Sequence, residues 1–321
     1  MFDDVEISSS KTKIHDRLVY SGSGTELAII MFQNIALTIL TLGIYSAWGR
    51  TNTRRYVWGK VSFLGDRGSY SGSGMELFRG WMIVVAFYMV IAICLNIISR
   101  INPFLVVLAT PLYVYLYALA IYGGARYRLS RTSWRETNFS MERNKESTQT
   151  FIWLVVKGVL LSGLTLGLYL PYFQNEKRRF LINKASFGTS KFNFTGDNGE
   201  FFKLVLWNLF LTFITLGFYG SWMILNLAKY KLKNSNLDNK LYFDIKLEGK
   251  SIFFFSVLSY LATICTLGLA LPWVINKSYH IFINAIEVTG EIDFAAIQNV
   301  EISASAFGDV AAVEYDLDLG F

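Results

Sequence analysis

Long stretches without charged residues alternate with short polar segments along most of the chain. Five of these stretches, and a sixth that is interrupted only by Lys157, are apolar and long enough to cross about 30 Å of hydrocarbon. Backbone amides cannot stay unpaired in lipid, so each stretch is expected to be helical. We therefore predict six membrane-spanning helices, at residues 27–48, 80–99, 101–125, 151–173, 204–226 and 251–274.

Between these stretches the pattern changes to a period of two. Aromatic or β-branched residues alternate with polar ones around glycine-containing turns, as is typical of hairpins. The segments are residues 61–70, 185–195, 241–247 and 286–294. The predicted fold class is thus an α-helical polytopic membrane protein with short β-hairpin modules between the helices.

The tripeptide Thr-Leu-Gly occurs four times, beginning at Thr41, Thr165, Thr215 and Thr266. An aromatic residue follows each threonine by seven positions, and an arginine, lysine or histidine follows it by fourteen. We assign the aromatic to the lipid interface and the basic residue to the headgroup region. The last three copies are 50 and 51 residues apart, which predicts an internal repeat of about 50 residues. In that repeat Asn34, Gly158, Asn208 and Ser259 should occupy equivalent places.

An alternative is that the Thr-Leu-Gly segments are re-entrant hairpins with both ends in the cytoplasm. A hairpin that turns at Gly43 would bring Arg50 back into the bilayer about 10 Å from the turn, at 1.5 Å per residue. We therefore expect continuous spans, although six spans leave Lys and Arg on both sides of the membrane and satisfy the positive-inside rule only in part.

The composition agrees with a membrane protein, since 53% of the residues are hydrophobic and 17% are charged. Soluble domains usually carry about 25% charged residues. The last basic residue apart from His280 is Lys277, and eight carboxylates follow it. We therefore divide the chain into a single membrane domain, residues 1–286, and an acidic C-terminal tail, residues 287–321.

Several classes of function are disfavoured because the sequence lacks the residues or motifs that they require. The chain has two cysteines and two histidines, too few for a zinc or haem pattern. No Walker lysine follows the glycine-rich turns, and no serine-histidine-aspartate set is evident. We expect no catalytic residues, no metal and no cofactor. The basic residues lie beside the apolar stretches, which favours anionic lipid headgroups over nucleic acid as partners.

Two groups of polar residues are candidates for function. Intramembrane polar positions are Lys157, Asn34, Asn208 and Asn96. Lys157 interrupts an apolar stretch and either lines an anion or proton pathway or extends its ammonium to the interface, while the asparagines either link helices or bind a ligand. Carboxylates at predicted helix starts are Glu26, Glu76 and Glu200. Capping is the simplest role for them, and binding of protons or cations is the alternative.

Several motifs together resemble the YjgN-type family, bacterial inner-membrane proteins whose domain has no known function. They are the Gly-x-Gly-x-Glu-Leu turns, the Thr-Leu-Gly-x-Tyr-x-x-Trp segments, the variant at residues 168–172, Arg126-Tyr127-Arg128, the cluster at 131–135 and the ending at 315–321. This chain departs from the family pattern at Glu136-Thr137-Asn138. The resemblance implies a multipass inner-membrane location and no catalytic residues.

Three functions remain open at this point. A transporter-like or channel-like protein is favoured by the repeat and the intramembrane polar residues. A membrane scaffold or envelope-interaction protein would use the acidic tail or the hairpins to bind a protein partner or a second copy. A lipid-modifying enzyme is the least favoured.

Overall fold

The computed structural model describes residues 12–101, 110–142, 144–294 and 297–299. Within these ranges strand pairs and helix pairs alternate. The helices are α1 Gly24–Leu40, α2 Ser46–Lys60, α3 Gly74–Ile101, α4 Thr110–Ser130, α5 Lys145–Leu164, α6 Leu170–Asn183, α7 Asn198–Ile214, α8 Gly220–Lys233, α9 Gly249–Cys265 and α10 Leu271–Ile283. The strands are β1 Thr12–Arg17, β2 Val19–Tyr20, β3 Val61–Phe63, β4 Asp66–Tyr70, β5 Thr132–Trp134, β6 Thr137–Met141, β7 Ala185–Phe187, β8 Ser190–Phe194, β9 Ser235–Leu237, β10 Leu241–Ile245 and β11 Ile286–Ile292.

The Thr-Leu-Gly tripeptides reverse the chain between antiparallel helices. In the first, Leu42 and Gly43 have positive φ angles of 51° and 94°. The N–H of Gly43 then bonds the carbonyl of Thr38 at 2.7 Å, which ends α1 in a Schellman-type arrangement. The other three leucines have φ of 49–51° and their glycines φ of 90–93°. Glycine adopts this conformation without strain, which explains its place in the tripeptide.

The threonine of each tripeptide joins the two helices of its hairpin. The Thr41 hydroxyl donates to the carbonyl of Leu37 at 2.7 Å and accepts the N–H of Tyr45 at 2.9 Å. The same two bonds form at the other three threonines, with lengths of 2.7 and 3.0 Å. One hydroxyl therefore satisfies a backbone acceptor of the first helix and a donor of the second.

The prediction of a polytopic helical membrane protein is wrong. Four of the six predicted spans, residues 27–48, 151–173, 204–226 and 251–274, each contain one of these reversals and are two helices rather than one. An uncharged stretch satisfies the composition test for a span even when a left-handed Leu-Gly pair divides it. The predicted span 80–99 lies inside α3, and residues 102–109 of the predicted span 101–125 lie outside the described residues.

Two helices in the described ranges are long and apolar enough to cross a membrane by length and composition, Gly74–Arg100 and Lys145–Leu164. Two shorter apolar helices are Gly24–Leu40 and Gly249–Cys265. Helix α5 is followed directly by its reversal and by α6, so its length alone does not make it a span.

All eleven described strands form one antiparallel sheet, in the order β1-β11-β10-β9-β8-β7-β6-β5-β4-β3-β2. Strands β1 and β2 lie at opposite ends of this order, yet Leu18 alone separates them in the chain. The sheet therefore curves round until its two ends are nearly in contact. The segments predicted from a period of two lie in β3–β4, β7–β8, β10 and β11. Strand β3 pairs with β4 and β7 with β8 as hairpins, and β10 pairs with β11 across a helix pair.

The interior of this sheet is a hydrophobic core. Its buried members are Ile14, Phe187, Leu237, Leu241, Val288 and Ile292. Phe294, just after β11, packs against this core and lies edge-on to Trp134 with ring centroids 5.0 Å apart. Strand β11 lies between β1 and β10, and Glu287 is ion-paired with Arg17, so the acidic segment begins inside the sheet.

Neighbouring helix hairpins are joined through the repeated aromatic and basic residues. The ring of Trp48 covers Gly74, Trp222 covers Gly249 and Trp273 covers Gly24, so closely that a Cβ on any of these glycines would overlap the indole. These three glycines thus leave room for a tryptophan. The aromatic side chains seven positions after the threonine make these contacts between hairpins, rather than only marking a lipid interface.

The residue fourteen positions after the threonine also joins modules. Arg55 donates to the carbonyl of Gly72 at 3.0 Å, Arg179 donates to that of Gly196, and His280 contacts that of Gly22 at 2.8 Å. The predicted headgroup residues therefore hold the turn that precedes the next helix pair. Because the described helix pairs begin and end at the sheet, the four Thr-Leu-Gly reversals lie at the opposite end of the molecule.

Candidate membrane-contact surface

The four helix reversals expose apolar side chains. Their leucines, Leu42, Leu166, Leu216 and Leu267, are 90–96% exposed, and we call them the tip leucines. Flanking residues are exposed as well, among them Leu40, Leu164 and Phe213 at 77, 81 and 83%. Apolar patches of this kind mark contact with a membrane or a partner.

The chain around each tip is free of charge. Residues 27–49, 158–175, 204–228 and 251–276 contain no Asp, Glu, Lys or Arg. Hydrocarbon also requires that backbone polar groups be satisfied within the protein. The threonine hydroxyl and the glycine N–H of each reversal make the bonds described above and supply part of that satisfaction. The tips are thus chemically suited to an apolar phase.

The uncharged part of each returning helix is about as long as one leaflet of hydrocarbon is thick. The first charged residues after the turn glycines are Arg50, Glu176, Lys229 and Lys277. At 1.5 Å per residue they lie about 10, 14, 18 and 14 Å from the turn along the returning helix. Half of a hydrocarbon core is about 15 Å. The four hairpins are therefore long enough to enter one leaflet and too short, on the returning side, to cross both.

The α3–α4 pair differs from the other four. Helix α3 has 28 residues, and between Arg79 and Arg100 it carries no charged side chain. At 1.5 Å per residue that interval is about 31 Å, the thickness of the hydrocarbon. Near its end Arg100 donates to the side chain of Asn96 at 3.2 Å. Helix α3 is therefore long and apolar enough to cross a membrane by length and composition.

Two ion pairs fix the helix starts at the sheet. Glu76 accepts from Arg131 at 2.6 Å and from the Tyr127 hydroxyl at 2.9 Å. Glu26 pairs with Lys60 at 2.9 Å, and hydrogen bonds from Lys60 and Tyr56 hold the pKa of Glu26 below its usual value. Both carboxylates are therefore committed to contacts at the sheet end of the molecule.

A groove of about 700 Å³ opens between α1 and α2. Its polar lining includes Gln33, Asn34, Asn52 and Arg55, so the groove combines amides with a basic residue. In the described part of the chain no group of three or more His, Cys, Asp or Glu side chains is placed to hold a metal ion.

A model of a family described as a bacterial protein of unknown function, DUF898, matches residues 15–207, 189–241 and 220–313. The chain belongs to the DUF898 family. The resemblance read from the sequence motifs is thereby confirmed.

The relatives of this DUF898 chain include the inner membrane protein YjgN of Salmonella typhimurium, 25% identical over 164 residues, and that of Escherichia coli K12, 29% identical over 149 residues. YjgN of Escherichia coli O157:H7 is 34% identical over 123 residues. The matches cover 51, 46 and 38% of this chain and 40, 36 and 30% of the relatives, so the chain matches less than half of their length. Their names support an inner-membrane location. No solved structure matches the chain.

The predicted intramembrane polar residues of this DUF898 protein do not converge on one site. Asn34 donates to the carbonyl of Gly49 at 3.1 Å, across the first hairpin. Asn208 is buried and accepts from Asn226 at 2.9 Å across the α7–α8 hairpin. Lys157 and Asn96 are exposed. The two buried or half-buried asparagines therefore link helices, as one of the two alternatives predicted.

The predicted helix-start carboxylates also differ from one another. Glu76 forms a capping box with Ser73, since the Glu76 N–H donates to the serine hydroxyl at 3.2 Å and the carboxylate accepts the Ser73 N–H at 3.4 Å. Glu26 is bound by Lys60, as described. Glu200 is exposed, and Asp197 instead caps its helix by accepting the Glu200 N–H at 2.9 Å.

Sequence reasoning missed the hydrogen bonds of the four threonines and the asparagine that pairs with Asn208. The signal for the threonines was present, because a hydroxyl at the same place in four tripeptides implies a repeated hydrogen bond. Asn226 could have been found by counting eleven positions after Thr215, where the first hairpin carries Asn52.

Proposed function

We propose that this chain is a non-catalytic inner-membrane protein that inserts its Thr-Leu-Gly hairpins into the cytoplasmic leaflet and binds that leaflet as a scaffold. The observation that carries the proposal is the set of tip leucines, which are almost fully exposed on reversals whose backbone is bonded internally. In water the exposed tip leucines would leave a large apolar area in contact with solvent, which is unfavourable. In hydrocarbon the same leucines contact apolar groups and carry no such cost.

The charge distribution supports a cytoplasmic sheet. In the four short hairpins, the basic residues of the returning helices cluster toward the sheet, and α4 carries Arg126 and Arg128 there as well. The positive-inside rule then assigns the sheet to the cytoplasm. This orientation removes the conflict that six spans created, because both ends of each hairpin lie on one side.

Anionic phospholipid headgroups are the partners that this geometry favours. Arg50, Lys177 and Lys229 lie at about 10, 15 and 18 Å from the turns that precede them, close to the boundary between hydrocarbon and headgroups. Basic residues at that level gain about 1 kcal/mol each from an anionic surface. Lys157 lies about 15 Å before Gly167, so a snorkelling ammonium explains it without a pathway.

Transport is a second candidate, favoured by the polar groove between α1 and α2 and by the crossing length of α3. It requires access to the groove from both sides of the membrane. If transport is the function and Lys157 lies on the path, Lys157→Met should abolish flux at normal expression. If Lys157 serves only the interface, that variant should behave like the wild type.

The test of insertion uses single cysteines at the tips, in a protein whose exposed Cys94 and Cys265 are replaced by serine. Leu42→Cys, Leu166→Cys, Leu216→Cys and Leu267→Cys each receive a fluorophore in reconstituted vesicles. Lys240→Cys, at an exposed position beside β10, is the control. Nitroxides on lipid acyl chains should quench the four tip labels strongly and the control label weakly.

Two outcomes would contradict the proposal. Equal quenching of tip and control labels would mean that the tips are not in hydrocarbon. Labelling of tip cysteines in intact cells by a membrane-impermeant reagent would mean that the hairpins cross to the periplasm.

A further inference from the structure

The lining of the groove between α1 and α2 becomes more polar from the tip of the hairpin towards the sheet. Ala36 and Leu37 line it near the tip, Gln33 and Asn52 line its middle, and Arg55 lines it near the sheet. Measured along the helices from Gly43, these positions are about 9, 15 and 18 Å from the turn for Leu37, Gln33 and Arg55. Apolar, amide and cationic groups therefore follow one another from hydrocarbon to headgroup depth.

The polar groups have capacity left for a ligand. Arg55 spends a hydrogen bond from Nη2 on the carbonyl of Gly72, at 3.0 Å, and a guanidinium has five N–H donors. The Asn34 amide donates to the carbonyl of Gly49, which leaves its oxygen as an acceptor. Gln33 is exposed at the level where ester groups of a lipid lie.

The first hairpin carries smaller or uncharged side chains at two positions beside the groove where the other three carry bulk or charge. The position five residues before the threonine is Ala36 in α1, and Leu160, Phe210 and Leu261 stand at the corresponding places of α5, α7 and α9. The position eight residues before it is Gln33 in α1 and Lys157, Trp207 and Leu258 in the others. A small residue beside a neutral amide thus makes a groove where the other hairpins carry bulk or charge.

We propose that the α1–α2 groove binds one phospholipid of the cytoplasmic leaflet. Its phosphate is bound by Arg55, its ester region by Gln33 and Asn52, and an acyl chain lies along Ala36 and Leu37. This inference rests on the proposed function, since the groove meets lipid only if the hairpins are inserted. Guanidinium groups suit phosphate because they offer paired donors in a plane.

The test uses the full chain in phosphatidylcholine vesicles that contain a phosphatidylglycerol with a photoreactive acyl chain. After illumination, mass spectrometry locates the crosslinks. The α1–α2 hairpin should carry more label than the α9–α10 hairpin, and unlabelled phosphatidylglycerol should compete. Ala36→Phe, which copies Phe210, should reduce labelling of the first hairpin about tenfold by filling the groove.

Leu261→Phe, at the corresponding place of α9, is the matched control and should leave labelling of the first hairpin unchanged. Ala36 is exposed, so the variant should fold, and an unchanged melting temperature verifies this. If Ala36→Phe fails to fold, Gln33→Leu, which copies Leu258, should reduce labelling in its place.

The outcomes separate the site from the insertion. Equal labelling of all four hairpins, unaffected by Ala36→Phe, would overturn the lipid site and leave insertion intact. Competition by inorganic phosphate as strong as by phosphatidylglycerol would overturn it in favour of a free-anion site. An absence of label on every hairpin would contradict both the site and the proposed function.

Discussion

The ring of His280 in α10 lies 2.8 Å from the carbonyl of Gly22, which precedes α1. Asn276 donates to the same carbonyl at 3.2 Å, and the Tyr20 hydroxyl donates to Asn276 at 2.9 Å. The last helix hairpin is therefore attached to the first through a buried polar network. Beside it β11 pairs with β1, so helices and sheet both connect the end of the described chain to its beginning.

His280→Ala should weaken this connection. We expect a loss of about 1 kcal/mol in the free energy of unfolding, because Asn276 still satisfies the carbonyl and only one hydrogen bond is removed. The measurement is thermal unfolding in detergent. Lys229→Ala is the matched control, since Lys229 stands fourteen positions after Thr215 and its variant should change stability by less than about 0.5 kcal/mol. Equal losses of stability in the two variants would mean that His280 stabilises the protein no more than Lys229 does.

Thr165→Val should destabilise the α5–α6 hairpin. Valine has nearly the same shape, but it leaves the N–H of Tyr169 without the hydroxyl that accepts it, while the carbonyl of Leu161 keeps its bond from the N–H of residue 165. We expect a loss of about 1–3 kcal/mol, the range for an unsatisfied polar group. Thr165→Ser keeps the hydroxyl and should retain most of the stability. If valine and serine behave alike in thermal unfolding, the hydroxyl does not stabilise the reversal.

How much of this fold the sequence could predict depends on the range of the interactions. The tripeptides, the aromatic residues and the strand patterns are local, and each was visible. The sheet order was not, because the pairing of Arg17 with Glu287 joins residues 270 positions apart and leaves no periodic trace. The spans were wrong for a local reason: hydropathy does not register a left-handed Leu-Gly pair such as Leu42-Gly43. Arg50, which argued against a re-entrant hairpin in the sequence, lies about 10 Å from its turn and is compatible with a hairpin that enters a single leaflet.

Leu216→Asp should separate folding from insertion. The tip leucine is 90% exposed, so its replacement should leave unfolding in detergent within about 0.5 kcal/mol of the wild type. A charged residue in hydrocarbon costs about 2.5–3.5 kcal/mol on insertion scales, so quenching of a nearby label by acyl-chain nitroxides should fall severalfold. Leu216→Ala is the control. Unchanged quenching in the aspartate variant would show that this tip lies outside the hydrocarbon.

The lowered pKa of Lys231 predicts that the stability of the protein depends on pH. Burial lowers its pKa from 10.5 to about 8, and the nearby charge of Arg178 contributes. It lies about 21 Å from the α7–α8 turn, beyond the hydrocarbon. Between pH 8 and 10.5 the unfolded chain keeps a proton that the folded protein has released, so stability should rise with pH in this window.

Lys231→Met removes that cost of a buried cation. At pH 7 the variant should be more stable by about 1 kcal/mol, because partial exposure screens the charge, and the advantage should shrink towards pH 10. Thermal unfolding at the two pH values provides the measurement. Lys233→Met, at an exposed position two residues later, should show no such dependence. A constant difference across pH would mean that the charge of Lys231 is not the cause.

Corresponding places in two hairpins show opposite packing solutions. Asn34 packs on Gly49 in the first, whereas Gly158 packs on Phe173 in the third helix pair, so closely that a Cβ on Gly158 would overlap the phenyl ring. Each pair combines a larger with a smaller residue, in reversed order. Gly158→Asn alone should therefore cost about 1–3 kcal/mol through overpacking. Phe173→Gly alone should cost at least about 3–5 kcal/mol, because it opens a cavity.

The double variant Gly158→Asn with Phe173→Gly rebuilds the arrangement of the first hairpin, in which the Asn34 amide donates to the carbonyl of Gly49. Its loss of stability should be smaller than the sum of the single losses, with a favourable coupling of about 1–3 kcal/mol. Recovery should be incomplete, since Phe173 also packs in the core with Phe151 and Val155. Denaturant unfolding of the four proteins gives the coupling directly. Additive losses would mean that the two hairpins only share a sequence pattern and that their helices pack by different rules.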